Sequence, residues 1–302
     1  MGQIFMRYGN HRAGRFQSAA LLVALAASAV SLCNAAAAGD VPSYFGSGSE
    51  ERDAGTRLTA RSVFERIFQA PPETRPDLQK ADMTRLDLAE LDFKAALLAG
   101  SDLYGTDLSR ATLAGASLVG AKLDRATITA TDFSNADLTD ARIIRPTVFT
   151  TLDVASGEVP KFTGAKLVRF RSDGHFDRAD FTGADLTGAV LGRTAVRESS
   201  VNAPASLVSA NFTRAILKDA TLANTSLKYA RFVNADLRGA NLKGADLIQA
   251  DFTGADLTGA DLTGANLYEV DLRTARGLDT VIGLKETQNF ETARFAHSLD
   301  DN

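Results

Sequence analysis

Cysteine, histidine and tryptophan are almost absent from the sequence. Of 302 residues, one is cysteine, three are histidine and none is tryptophan. A single cysteine, Cys33, cannot form a disulfide within the chain, and the scattered His11, His175 and His297 form no metal-ligand motif. Nucleophile elbows, phosphate-binding loops and dinucleotide fingerprints are also missing. We therefore expect a protein without enzymatic activity, catalytic residues, cofactor or bound metal.

Long hydrophobic runs are scarce too, and the most prominent one lies near the N-terminus. Residues 19–32 are uncharged and mostly apolar, which is shorter than the roughly 20 residues that a membrane-spanning helix needs. Three arginines precede this run, and an Ala-x-Ala cleavage site at residues 35–38 follows it. The pattern predicts a Sec signal peptide at residues 1–38 and an exported protein. The periplasm is the expected location, with secretion or membrane anchoring as alternatives.

Two further features belong to this N-terminal part. Cys33 lies beside the predicted cleavage region, which leaves lipid attachment open, although Leu32 fits poorly the small residue that precedes a lipidated cysteine. Residues 39–55 are rich in glycine and serine and predict a flexible linker.

Net positive charge is lacking as well. The formal charge is −4 for the whole chain, and loss of the three arginines with the signal peptide would make it −7, since residues 1–38 contain no acid. A moderately acidic protein is not attracted to bare nucleic acid or to anionic membranes. We expect no direct binding to nucleic acid.

An apolar residue recurs at every fifth position in two long blocks. The first block runs from Leu78 to Ile143 and the second from Leu207 to Leu272, with fourteen consecutive positions in each. In a chain with 45% apolar residues, one such block arises by chance on the order of once in a hundred thousand registers. In the second block, alanine stands two positions before the apolar residue in twelve of fourteen units.

A period of five fits neither a helix nor a continuous strand, but it fits short extended segments joined by corners. The alanine and the leucine or phenylalanine of each unit then face inward, the residue between them faces outward, and the other two residues turn the corner. Glycine is frequent at the second corner position, where a tight bend is needed. Phe212, Phe232 and Phe252 recur every twenty residues, which predicts four units per coil and an aromatic column inside.

The unit Ala-Asp-Leu-Thr-Gly occurs at residues 184–188, 255–259 and 260–264. It resembles the signature unit of the pentapeptide-repeat family, and the resemblance covers residues 76–277. The family implies an all-β fold, a right-handed quadrilateral β-helix, to which we add helical caps at one or both ends. For function the resemblance is much less specific, because one fold serves unrelated roles.

The repeat is interrupted near residues 144–160, 168–175 and 192–205. We interpret the interruptions as surface loops of one solenoid, while a division into two solenoids with a hinge is the alternative. Whether they are binding loops or relics of insertion stays open.

Both ends of the repeat need covering. Residues 56–75 carry apolar residues at near-helical spacing before a proline-rich junction and predict an N-terminal helical cap. Residues 278–302 lose the five-residue period and predict a C-terminal cap or tail, with a homodimer contact as a further possibility.

One stretch suggests a binding surface. Between residues 246 and 271 there are six acids and no lysine or arginine, which predicts an acidic face formed by Asp246, Asp251, Asp256, Asp261, Glu269 and Asp271. The simplest interpretation is a solvated surface; the sharper one is a site for a basic partner. Our leading hypothesis is an exported scaffold that binds an unknown protein or a cell-envelope component. The alternative, implied by the resemblance, is a cytoplasmic DNA mimic that modulates a type II topoisomerase through this face.

Overall fold

The computed structural model of the chain describes residues 57–148, 158–192 and 205–296. All of them belong to one compact unit, Asp53–Asn302. The predicted signal peptide and linker, with Cys33, lie outside the described residues, as do residues 149–157, 193–204 and 297–302. Within the described parts of the chain, no helix combines the length and apolarity required to cross a membrane.

The first element is a helix, α1, at Ala60–Gln69. Thr59 caps it, because its side chain accepts a hydrogen bond from the Ser62 N–H at 3.1 Å while the Ser62 hydroxyl accepts from the Thr59 N–H. Val63 and Ile67 are buried and join the core of the repeat. The helix ends at a proline pair that begins with Pro71, and proline disfavours helical backbone in the residue before it.

From Asp77 onward the chain winds into coils of four units. In each unit the residue between the two inward side chains forms a parallel bridge with a residue in the next coil, which is normally twenty positions ahead, as in Asp77 with Leu97. Four columns of bridges result, and we call them faces 1 to 4 after their members in the first coil, Asp77, Asp82, Asp87 and Asp92. The fold is a β-solenoid, as the five-residue period predicts.

Regular strands are few because each straight segment is only about three residues long. They are found in the middle of face 2 and form a parallel sheet in the order β1 (Arg142–Ile143), β2 (Arg171–Ser172) and β3 (Val190–Leu191). Elsewhere in the described coils the ladder consists of single bridges.

At the corners, the second residue adopts a left-handed backbone. Glycine holds many of these positions with φ near +65°, for example Gly120 and Gly188, but arginine and asparagine also occur, as at Arg110 and Asn135. The corner is closed by a hydrogen bond from the first residue of the next unit, such as Ala116 N–H to Leu113 C=O at 2.9 Å. Glycine is favoured because it pays no steric penalty in this conformation.

The interior is filled by alanine, leucine and phenylalanine, and an aromatic column runs along face 4. Neighbouring rings in this column lie 4.8 to 5.1 Å apart with planes within 12° of parallel, and the members are Phe133, Phe162, Phe181, Phe212, Phe232 and Phe252. The aromatic column predicted from the last three is confirmed, and it is twice as long as the sequence period indicated.

Parallel pairing continues across the interruptions of the repeat. Asp132 pairs with Lys161 and Asp180 with Asn211, so the coils before and after each interruption stack directly on each other. Between them lies a shortened unit in which the large and small inward residues are exchanged: Phe170 and Ser172 are both buried, and the Ser172 hydroxyl donates to Ile143 C=O at 2.6 Å. The described coils therefore form a single stack.

The last coil is built from units of six residues. Arg276, Ile282, Gln288 and Arg294 form its bridges, each six positions after the last. Each corner is a short 3-10 helix preceded by a left-handed residue, and the three helices are Leu278–Thr280, Leu284–Glu286 and Phe290–Thr292. Pairing thus extends past residue 277, the predicted boundary, because the change of period from five to six hides the last coil in the sequence.

Candidate functional site

The six acids of residues 246–271 do not lie on one face. Asp246 belongs to face 3, Asp256 to face 1 and Asp261 to face 2, while only Asp251 and Asp271 share a column, on face 4. Glu269 sits at the corner that follows face 3. The prediction of a single acidic face is therefore wrong, since each five-residue unit carries the chain onto the next face. The acids form a belt around the solenoid, which we call the acidic belt.

Several carboxylates of this belt serve the corners of the solenoid itself. Asp261 accepts hydrogen bonds from the backbone N–H and the hydroxyl of Thr263, at 2.9 and 2.6 Å, and Asp256 makes the same pair of bonds with Thr258. The side-chain hydrogen bonds from these threonines lower the pKa of both carboxyls. Both acids are thus ionised at neutral pH, but much of their hydrogen-bonding capacity is used locally.

Two of these acids are paired with cations that lie outside residues 246–271, one in the preceding coil and one in the same unit as its acid. Lys228 lies 3.1 Å from Asp246, and Arg273 lies 2.6 Å from Asp271. The hydrogen bond from Arg273 lowers the pKa of Asp271. Because Lys228 of the preceding coil and Arg273 just beyond residue 271 pair with two of its acids, the acidic belt is less strongly charged than residues 246–271 suggest.

A second charged feature lies in the middle of face 2, and sequence reasoning missed it as a cluster. Lys122, Arg142 and Arg171 occupy consecutive positions of one column, each paired with the next. Their sequence separations of twenty and twenty-nine residues differ because the first interruption falls between them. All three side chains are exposed. The signal in the sequence was the loss of aspartate at the outward position of these three units.

Asp124 holds the centre of this column in place. Its buried carboxylate lies 2.5 Å from the Arg142 guanidinium and accepts the Ile144 N–H at 3.1 Å. Burial raises the pKa of Asp124, and the positive charge of Arg142 opposes that shift.

The described residues bring together no group of histidine, cysteine, aspartate or glutamate that could hold a metal ion. His175 is exposed on face 3, where it bridges Ser206. Surface depressions occur where α1 joins the first coil, around Pro71 and Arg75, and they are open to solvent.

Parallel bridges, left-handed corners and a filled interior define a β-solenoid built from five-residue units. The sequence profile described as "Pentapeptide repeats" matches in eight copies, over residues 77–113, 106–143, 172–200, 205–244 and 240–276. These segments make up more than half of the sequence, and the chain belongs to the pentapeptide-repeat family.

Solved structures of the same family resemble the chain. HetL, described as involved in heterocyst differentiation regulation in the cyanobacterium Nostoc sp. strain PCC 7120, is 26% identical over 76% of this chain and 94% of its own, with a TM-score of 0.38. Rfr23 from the cyanobacterium Cyanothece 51142 is 25% identical over 45% of this chain and 90% of its own, with a TM-score of 0.31.

QnrB1, described as a plasmid-mediated fluoroquinolone resistance protein, is 19% identical over 70% of this chain and 95% of its own, with a TM-score of 0.38. Comparison with curated proteins gives no match. Scores this low do not support the transfer of a function from any of these structures.

Proposed function

We propose that the protein is an exported, non-catalytic scaffold that binds another protein or a component of the cell envelope, with the periplasm as its location. The observation that carries the proposal is the filled interior: alanine, leucine and phenylalanine are buried throughout the described coils. A catalytic or ligand pocket requires a concave, sheltered space. A rod with a packed interior offers its outer surface instead, where side chains repeat at the spacing of stacked strands, about 4.8 Å.

Three finer features complete this proposal. We expect the right-handed sense of coiling that is typical of the family, and we expect α1 to act as the N-terminal cap, since Val63 and Ile67 pack into the core. The last coil is the candidate homodimer contact, because Leu278 and Phe290 are only partly buried there and Ile282 is 57% exposed.

The acidic belt is the candidate surface for a basic partner. In the alternative hypothesis, the same residues would let a cytoplasmic protein imitate DNA and bind a type II topoisomerase. The belt geometry favours the scaffold, because a DNA mimic needs continuous negative charge along one side. The described coils instead spread five of the six acids over four faces and place Glu269 at a corner.

Cell fractionation with mass determination of the mature N-terminus tests the location. We expect the chain in the periplasmic fraction with an N-terminus near Gly39. An intact Met1 in the cytoplasm would contradict export and favour the topoisomerase hypothesis.

The topoisomerase hypothesis is tested by the double variant Asp251→Lys/Asp271→Lys. It reverses the charge at the two acids of the belt that share a column. A DNA mimic would lose binding to purified gyrase through this change. For the scaffold we expect no gyrase binding by the unaltered chain.

A further inference from the structure

The basic column on face 2 is unusual within its own column of outward residues. In the two preceding coils the equivalent positions are Asp82 and Asp102, and each accepts the backbone N–H two residues ahead at 3.0 Å. Lysine and arginine cannot accept this bond. Three consecutive coils have therefore given up a local hydrogen bond that stabilises the corner.

The structure replaces part of what is lost. In the unit of Arg142, the N–H of Ile144 donates to Asp124 of the preceding coil instead. The same carboxylate holds the Arg142 guanidinium. The cation at this position thus requires a buried acid from a neighbouring coil to support it.

The cations also repel one another. Like charges that lie directly opposite on paired strands are destabilising, and the column places three of them in register. Across face 2 and its two corners in these coils there are six exposed cations and three acids, and the cations are Lys122, Arg125, Arg142, Arg145, Arg169 and Arg171.

Only part of this charge is neutralised internally. Arg142 is paired with Asp124, and Arg169 lies 2.5 Å from Asp140. Lys122, Arg125 and Arg145 make no ion pair with any residue in the described ranges. The patch is bounded, since Asp102 precedes it in the column and Val190 follows it.

We propose that this basic patch on face 2 is a docking surface for an acidic protein segment. Guanidinium groups bind carboxylates in a planar, two-pronged geometry. Acidic side chains one turn apart on a helix are about 5–6 Å from each other, which is close to the spacing of about 4.8 Å between coils. Such a segment places successive carboxylates against Lys122, Arg142 and Arg171.

The acids within the patch argue for protein over nucleic acid. Asp140 and Asp173 lie among the cations. These two carboxylates would repel a nucleic-acid backbone, because its phosphates are evenly and densely charged. A protein segment carries separate carboxylates that fit between them. This surface is distinct from the acidic belt and adds a partner chemistry to the proposed scaffold, and its test uses purified protein, so it does not depend on the compartment.

The probe is a fluorescent alanine-rich helical peptide with glutamate at every fourth position, compared with the same peptide carrying glutamine. We expect the purified chain to bind only the glutamate peptide, more weakly as salt rises. The double variant Lys122→Glu/Arg171→Glu should lose affinity by about tenfold or more. It leaves Arg142 and Asp124 intact, and Lys122→Thr/Arg171→Thr repeats the test with a residue that this column carries at Thr221.

The matched control is Arg214→Glu/Lys243→Glu, which changes the net charge equally at exposed positions elsewhere. We expect it to keep affinity within about twofold. Equal loss in this control, or equal binding of the glutamine peptide, would overturn the docking surface. Binding of a DNA duplex that is lost in Lys122→Glu/Arg171→Glu, with no binding of the glutamate peptide, would overturn the choice of an acidic protein.

Discussion

Single residues at the corners set how closely two coils can approach. Gly264 and Gly283 both have a left-handed backbone, with φ of +68° and +69°. A methyl group at Gly264 would meet open space, whereas one at Gly283 would lie 2.7 Å from the Thr263 Cα atom in the preceding coil. The same backbone conformation therefore carries different steric demands at the two sites.

From this difference we predict that Gly283→Ala is more destabilising than Gly264→Ala. In the control variant, Gly264→Ala, the free energy of unfolding should fall only by the cost of a left-handed non-glycine residue, roughly 1–2 kcal/mol. In Gly283→Ala the free energy of unfolding should fall further, because the new methyl group also forces the backbone at residue 283 away from Thr263 in the preceding coil. Urea unfolding of both variants measures the two free energies, and equal losses would show that the close approach at Gly283 is not important.

The aromatic column concentrates packing in a few side chains. Phe232 is fully buried and stacks on Phe212 at 5.1 Å and on Phe252 at 4.8 Å. We predict that Phe232→Ala lowers the free energy of unfolding by about 3–5 kcal/mol, through lost contacts and a cavity. Val233→Ala, at the neighbouring corner, should cost far less. A loss below about 1 kcal/mol for Phe232→Ala, on the same scale, would contradict a rigid column.

At the scale of the structural element, the five-residue unit and its inward positions could be predicted from sequence because the period is local. The length of the aromatic column could not. Phe133, Phe162 and Phe181 belong to it, but the interruptions alter the spacing, so these residues no longer follow one another at intervals of twenty. The six-residue coil was hidden for a similar reason, although Gly277 and Gly283 mark its corners at the new period.

The candidate sites show the same limit. Asp246 and Asp271 belong to one acidic stretch of the sequence, yet they lie on different faces. Lys122 and Arg171 are far apart in sequence, yet they lie in one column. Charge on a solenoid must be read along columns, and the columns are known only once the insertions have been placed.

The side chain of Arg75 links the segment between α1 and the first coil to the coils themselves. Arg75, in the segment between α1 and the first coil, donates to Ala95 C=O at 2.6 Å and to Gly115 C=O at 2.9 Å, and so spans the corners of two successive coils. These carbonyl groups follow one another along the edge between faces 4 and 1.

We predict that Arg75→Met loosens the first coils specifically. Each hydrogen bond of this kind contributes roughly 0.5–1.5 kcal/mol. Hydrogen exchange should quicken in the coils that contain Ala95 and Gly115 and stay unchanged near the C-terminal coil. The control is Arg85→Met, at a corner where the side chain makes no polar contact with the described residues. Equal acceleration of exchange in both variants would show that the hydrogen bonds of Arg75 do not hold the first coils together.

At the scale of the whole molecule, stability is a sum over stacked coils, so a small effect that recurs in many units becomes large. Ionised outward carboxylates are such an effect. Burial raises the pKa of each of these carboxyls, most of all at Asp137 and Asp180, but hydrogen bonds from threonine or arginine and nearby cations outweigh it together. The pKa is therefore lowered at Asp137, Asp140, Asp180, Asp236, Asp256, Asp261 and Asp271. Asp124 is shifted in the other direction, by burial.

The sign of the pH dependence follows from these shifts. A carboxyl whose pKa is lower in the folded than in the unfolded chain stabilises the fold fully above the unfolded value, about pH 4, and the contribution is lost as the pH falls through the folded value. For Asp124, with a raised pKa, the contribution is lost as the pH rises through the folded value instead. Seven groups oppose one, so we predict a solenoid that loses stability below about pH 4.

A matched substitution separates titration from hydrogen bonding. Asn211 holds the same outward position and accepts the N–H and hydroxyl of Thr213 at 3.2 and 2.6 Å, so asparagine preserves the corner without titrating. We predict that Asp256→Asn/Asp261→Asn unfolds at a similar urea concentration at pH 7 but loses less stability on acidification than the unaltered chain. Identical acid dependence of the two urea midpoints would show that these carboxylates do not contribute, and the loss below pH 4 would then have to come from the other five.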